Sequence, residues 1–170
     1  MELVDCIENS RFLGRELLLW LWYESDRHEG RVEVADGTIE LWIEDMLTLA
    51  DGAADASEIT IKSALPTVAP EAYEALRQGK LPTSAKLRLT RGTQAFGFVL
   101  KANTLALSGV TVPTMLKPDD EQAFDERIGL LEDLESVLAD LRRRFLELRT
   151  SKRWGRQVGA MKQWLARRTA

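Results

Sequence analysis

The chain has 170 residues, 45% of them apolar and 29% charged, which fits one soluble globular domain and excludes a disordered segment or two full domains. One cysteine, Cys6, and one histidine, His28, exclude an intrachain disulfide and the usual Cys/His zinc sets. The net charge of −4 divides into four blocks: −12 over residues 1–74, +7 over 75–117, −8 over 118–141 and +9 over 142–170.

Ser10 or Asn9 can cap a first helix running to about Asp26. Its centre, Leu17 to Tyr23, is apolar on every face, which predicts a helix buried all round or shared with a partner. This longest apolar run falls far short of the ~20 residues of a membrane span. The acidic start (Glu2, Asp5, Glu8) is unlike the basic head of a signal peptide, so a cytoplasmic protein is expected. The period then changes to two. Arg31 to Ala35 and Thr38 to Ile43 flank Asp36-Gly37, a strong hairpin signal because a type I′ turn needs φ > 0. Met46 to Ala50 reads as a third strand and Glu58 to Lys62 as a fourth, with a loop of small residues, Gly52 to Ser57, between them.

Pro66 and Pro70 close this first meander, and Glu71 to Gln78 reads as a short helix stopped by Gly79. A second meander follows in Ala85 to Thr90, Ala95 to Lys101 and Leu105 onward. Ala85, Leu87 and Leu89 point one way, and Lys86, Arg88 and Thr90 the other. Phe96, Phe98 and Leu100 alternate in the next strand. Pro113 and Pro118 bracket a linker, after which Asp119 and Gln122 make a capping box. Apolar residues then recur at Phe124, Ile128, Leu131, Leu134, Leu138, Leu141, Phe145 and Leu148, a mean step of about 3.4 residues, close to the coiled-coil 3.5. Unbroken to Arg149, that helix is about 45 Å long, which points to a bundle or a dimer seam. Trp154-Gly155 reads as a break before a final amphipathic helix from Arg156 to Arg168. The expectation is a single α+β domain over residues 1–170. Residues 1–117 hold a buried helix and two antiparallel meanders joined by a short helix; 118–170 are helical.

Catalysis finds little support in these residues. A metal-dependent nuclease needs converging carboxylates, and Glu40, Glu44 and Asp45 are close in sequence. Glu40 and Glu44 nevertheless alternate with Leu41 and Ile43, as on the wet face of a half-buried strand. The glycines occur singly, so no phosphate loop is present, and Ser108-Gly109 lacks the flanks of a nucleophile elbow. A non-enzymatic protein without cofactor or metal is expected. Trp20, Trp22 and Trp42 lie in apolar runs and read as core. Trp154 and Trp164 sit among Arg149, Lys152, Arg153, Arg156, Lys162, Arg167 and Arg168, the interleaving of rings and cations that nucleic-acid surfaces use. Cations at the end of a helix with an acidic first turn also complement its dipole without any ligand. The second meander has no such excuse. Residues 75–117 contain no acid, and Lys80, Lys86, Arg88, Arg91 and Lys101 accompany the strands, which calls for a polyanion or an acidic block of a partner.

Ser10 to Tyr23 (SRFLGRELLLWLWY) and Ile39 to Asp45 (IELWIED) resemble the C-terminal part of RdgC-like recombination-associated proteins, in their divergent branch. The similarity continues through Ala75 to Lys80, Ala85 to Leu89, Phe124 to Glu132 and Phe145 to Arg149, and none of these pieces is a catalytic signature. The family's N-terminal portion has no counterpart in the resemblance. What the resemblance implies is a non-enzymatic protein that binds duplex DNA with little sequence preference, as a dimer, in a recombination or repair setting. The residues expected to neutralise phosphate are Lys80, Lys86, Arg88, Arg91 and Lys101 on the sheet, with Arg149, Lys152, Arg153 and Arg156 after the long helix. The rival expectation is a subunit of a larger assembly, as a homo-oligomer or with a separate protein partner, held by the long helix and the apolar first helix.

Overall fold

The computed structural model of the chain describes residues 3–51, 57–113 and 120–168, with the backbone alone for 3–12 and 120. Its elements are α1 (Leu3–Arg27), β1 (Arg31–Val34), β2 (Gly37–Ala50), β3 (Glu58–Ile61), α2 (Pro70–Arg77), β4 (Leu81–Arg91), β5 (Gln94–Lys101), β6 (Leu107–Thr111), α3 (Asp120–Arg149) and α4 (Trp154–Arg167). The class is α+β, with a helix first, an antiparallel sheet next and long helices last.

All six strands join one sheet in the order β1-β2-β4-β5-β6, with β3 also paired to β2. The meanders merge because β2 pairs with β4 from Glu40↔Thr90 to Ala50↔Leu81. Met46 to Ala50 is therefore not a separate strand but the second half of β2. Between Ile43 and Leu47, β2 runs four residues against the two from Leu87 to Ala85, and Asp45 takes a left-handed φ of 62° there. Asp tolerates that region better than most residues. The even number of extra residues preserves parity, so Ile39, Leu41, Ile43, Leu47 and Leu49 are all buried. β1 and β3 share the remaining edge of β2, on Gly37–Glu40 and Leu47–Ala50. The first hairpin also differs from its expectation. Val34 pairs with Gly37, so the loop is Ala35-Asp36; those two keep negative φ, and only Gly37 is left-handed, at 124°. No type I′ turn forms.

One face of the sheet, with Ala85, Leu87 and Leu89 of β4 and Phe96, Phe98 and Leu100 of β5, is covered by α1. On its other side α1 meets the remaining helices. Trp20 packs on Phe145 of α3, Trp22 on Tyr73 of α2 and on Trp164 of α4. A helix sandwiched this way must be apolar all round, which is why Leu17, Leu18, Trp20, Leu21, Trp22 and Tyr23 are all buried. From Leu17 to Tyr23 the helix is core. Trp42 is the exception among the tryptophans expected inside. It is half-buried, its indole filling the space beside Gly30 where a Cβ would be.

Two helix boundaries move. α1 begins at Leu3, so Ser10 and Asn9 lie inside it; Leu3 to Asn9 contains neither Gly nor Pro to stop a helix. α4 begins at Trp154, and the break falls on Thr150 to Arg153 instead of Trp154-Gly155. There the hydroxyls of Thr150 and Ser151 donate to the carbonyls of Leu146 and Leu148, both at 2.8 Å, which also accept the backbone N–H groups of the same two residues at the end of α3. The capping residue proposed for α3, Asp119, lies outside the described residues.

α3 is unbroken for 30 residues, about 45 Å. Its apolar seam is only half internal. Leu134, Leu138, Leu141 and Phe145 are buried, whereas Phe124 is 64% and Ile128 41% exposed. The reason is rotational. The 24 residues from Phe124 to Leu148, at about 100° each, leave the two ends of the seam about 120° apart on a straight helix. The buried stripe instead starts from Leu130. No described helix is long and apolar enough to cross a membrane.

Candidate nucleic-acid interface

Pairing β2 with β4 sets the acidic block beside the basic one. Trp42 lies opposite Arg88 and Glu40 opposite Thr90, so the outward side chains of the two strands interleave. Lys86 Nζ reaches Asp45 Oδ2 at 2.5 Å, Arg88 lies 3.8 Å from Glu44, and Arg91 lies 3.9 Å from Asp36. Lys86 and Arg88 on β4's outer face thus each have a carboxylate from β2, whereas Arg91 has the inward parity of Ala85, Leu87 and Leu89 and lines a pocket with Asp36 of the turn and with Ser136 and Asp140 of α3. The acid Arg88 and Lys86 meet belongs to the bulge, where Glu44, Asp45, Lys86, Arg88, Gly97 and Thr111 rim a shallow depression of about 250 Å³. The sheet carries cations without carrying a net positive surface. Lys101, at the end of β5, is exposed and makes no ion pair among the described residues.

Lys80 is not on this face. It is 8% exposed, and its ammonium donates to Asp51 Oδ2 at 2.9 Å, to the Ser57 carbonyl at 3.0 Å and to the Ser57 hydroxyl. Its hydrogen bond holds the Asp51 carboxyl below the usual carboxylate range. Lys80 joins the ends of β2 and the segment before β3, a structural clip with no donor left for phosphate. Lys80→Met is accordingly expected to lower the melting temperature while leaving any polyanion affinity unchanged, which thermal unfolding and a binding titration on the same sample check.

Past α3 the picture differs. Arg149 is engaged, with Nε 2.7 Å from Glu16 Oε2 and its guanidinium 5.0 Å over the Trp154 ring. Arg142 pairs with Glu135, Arg143 with Asp140 and Glu147, and Arg168 with Asp26. Lys152, Arg153 and Arg156 are exposed and make no ion pair among the described residues. Lys162 and Arg167 of α4 are in the same state. Arg156 and Arg167, eleven residues apart within α4, fall close to one face of that helix, so α4 continues the positive corner that Lys152 and Arg153 begin. Helical spacing from Arg156 was the available signal for adding Arg167 to the site; Lys162, six residues from Arg156, stands on another side of α4.

The tryptophans of this region are not stacking platforms. Trp164 packs edge-on against Trp22, Tyr23 and Tyr73 and donates its indole N–H to Asp26 Oδ2 at 2.6 Å. Trp154 packs edge-on against Phe145. They anchor α4 to the core and leave only its cations for a ligand.

Tyr73, inside this aromatic cluster, is buried with a hydroxyl that finds no hydrogen-bond partner among the described residues. Burial, and secondarily the Asp26 carboxylate, push its pKa up to about 12. A raised acid pKa stabilises the fold fully below the unfolded value near 10 and loses that contribution as pH rises through the folded value. Ultraviolet titration is expected to show Tyr73 ionising about two units later in the folded chain than after unfolding. Tyr73→Phe is expected to abolish that late step without lowering stability, since it removes a buried unpaired hydroxyl.

Among the described residues no group of three or more His, Cys, Asp or Glu side chains is placed to hold a metal ion. Glu44 and Asp45 are held by Arg88 and Lys86 instead. His28 lies beside Glu24, 3.6 Å away, on the surface at the end of α1. No model of a known protein family and no curated protein matches the chain.

Proposed function

We propose that the chain is a non-catalytic, RdgC-like protein that binds duplex DNA without sequence preference, in recombination or repair, and that it grips the phosphate backbone with the α3–α4 corner. The observation that carries this reading is the contrast between the two basic blocks. The cations of β4 are matched by carboxylates, whereas Lys152, Arg153 and Arg156 are exposed and unmatched, with Lys162 and Arg167 beyond them. Unpaired, hydrated cations gain most from displacing counterions on DNA. Nothing in their setting resembles a base-reading element, so no sequence preference is expected.

The test is fluorescence anisotropy of a short labelled duplex over a salt series. If these five cations each meet a phosphate, the log–log slope is about −4.5 and affinity falls on the order of 500-fold between 50 and 200 mM salt. Replacing Lys152, Arg153 and Arg156 by Ser is expected to flatten the slope by about 2.7, and replacing Lys86, Arg88 and Arg91 to change it little. Absence of binding at 50 mM salt sinks the reading. Loss of binding in the β4 variant alone returns the site to the sheet.

A second reading, a subunit of a larger assembly, is favoured by one observation: α3 leaves Phe124, Ile128 and Leu146 in solvent.

A further inference from the structure

A second group of cations gathers where α1 and α4 both end. Arg27, Arg167 and Arg168 line a depression of about 380 Å³ between the two helices, with Asp26 as the carboxylate of its wall among the described residues. That carboxylate is already engaged, its Oδ2 accepting the Trp164 indole N–H at 2.6 Å and Arg168 at 2.5 Å. Arg27 and Arg167 are exposed and make no ion pair among the described residues. Arg27 is nevertheless held in place. It donates to the Tyr23 hydroxyl at 2.7 Å and lies 5.8 Å over the Tyr23 ring, which is 2% exposed. The hydroxyl accepts there and keeps its own hydrogen to donate.

Helix ends attract cations without any ligand, so the plainest alternative is that these arginines only complement two dipoles. The helix ends, however, are closed by their own backbone. At α1 the His28 N–H meets the Glu24 carbonyl at 3.1 Å, and the N–H of left-handed Gly30 meets the Ser25 carbonyl at 2.7 Å. At α4 the Arg168 N–H meets the Trp164 carbonyl at 3.3 Å. Each guanidinium has five N–H donors, and here only Arg27 and Arg168 place one in a hydrogen bond among the described residues.

We propose that this depression binds a phosphate monoester group. Three guanidiniums against one carboxylate leave two positive charges in excess, which match the charge of about −2 that such a group carries above its second pKa of about 6. Its three free oxygens suit forked donors that converge from two helices. A phosphodiester carries half that charge, and its second ester arm hinders entry into a concave site. The volume lies within the range of about 300–1,000 Å³ that small-molecule sites occupy, which leaves room for the organic part as well. The inference does not rest on DNA binding. A phosphate at the end of a nucleic-acid strand offers the same chemistry as one on a small molecule, and the test separates these sources.

Isothermal titration calorimetry of the full chain with glycerol phosphate is the first arm, with thermal unfolding to verify the fold of every variant. Saturation with a Kd of about 1 mM or tighter is expected, and dimethyl phosphate should not saturate. Arg27→Gln and, separately, Arg167→Gln should each weaken binding by about tenfold or more. Lys62→Gln removes the same charge from an exposed position just after β3 and should leave binding unchanged. The second arm compares labelled duplexes with and without 5′-phosphates by anisotropy. A preference for phosphorylated ends that Arg27→Gln removes assigns the group to a strand end, and saturation by glycerol phosphate without that preference assigns it to a small molecule. Failure of both arms, equal binding of dimethyl phosphate, or a folded Arg27→Gln or Arg167→Gln chain that binds like the parent overturns the proposal. Arg27 lies outside the α3–α4 corner, so that failure would leave the salt-series experiment unaffected.

Discussion

Gly14→Ala is expected to destabilise the fold by about 3 kcal/mol, against the sign that helix propensity predicts. Gly14 lies inside α1, where alanine would ordinarily gain about 1 kcal/mol. A Cβ at this position, however, would stand 1.8 Å from the carbonyl oxygen of Ala102, just beyond β5. That oxygen cannot swing away, because the Ala102 backbone is itself tied, its N–H donating to the Thr83 carbonyl at 2.9 Å. The helix would have to lift off the sheet along the face that buries Leu17, Leu18 and Leu21. Urea unfolding followed by circular dichroism measures the effect. A variant as stable as the parent, or more stable, would mean that α1 does not approach the sheet this closely.

Phe145→Ala is expected to cost about 3–5 kcal/mol, the range for truncating a large aromatic in a packed core. Phe145 is 2% exposed and holds three helices together: it lies in α3, tilted on Trp20 of α1 at 5.7 Å and edge-on to Trp154 of α4 at 5.8 Å. For a chain of this size the fall in melting temperature is roughly 10 °C. Because Trp154 fixes the start of α4, the near-ultraviolet signal of the tryptophans should weaken even below the transition. Exposed Leu146, one residue on, provides the contrast: Leu146→Ala should change monomer stability by no more than about 0.5 kcal/mol.

Much of the secondary structure was legible because it is written in short-range patterns. Alternation in Ala85 to Thr90 gave the orientation of β4, with Ala85, Leu87 and Leu89 inward. The all-apolar centre of α1 announced a helix buried on every side. What failed failed for definite reasons. The bulge at Glu44 to Met46 interrupts the alternation of β2, so one long strand reads as two. The glycine after the first hairpin looks like a turn residue when it is the first residue of a strand. The seam of α3 reads as continuous because sequence spacing averages over rotation, whereas a straight helix turns its two ends to different neighbours.

The candidate site was less legible than the fold. Lys80, Lys86, Arg88 and Arg91 look alike in sequence, and nothing local says that Lys80 folds inward onto Asp51 while Lys86 meets Asp45 from 41 residues away. Trp154 and Trp164 alternate with cations along the chain, yet their rings turn towards Phe145 and Trp22.

The sequence by itself determined the class of the protein, the order of its helices and strands, the inward faces of β4 and β5, and the segregation of charge into four blocks. These are properties of composition and of periods two and 3.6, which each residue shares with near neighbours. The tertiary structure alone decided which charged blocks meet. Placing β2 beside β4 neutralises the sheet, and placing α4 against α1 spends its tryptophans on the core. Among the described cations of the expected site, Lys101 and the corner after α3 are left unmatched, because long-range pairing depends on strand order and helix docking, which no local pattern encodes.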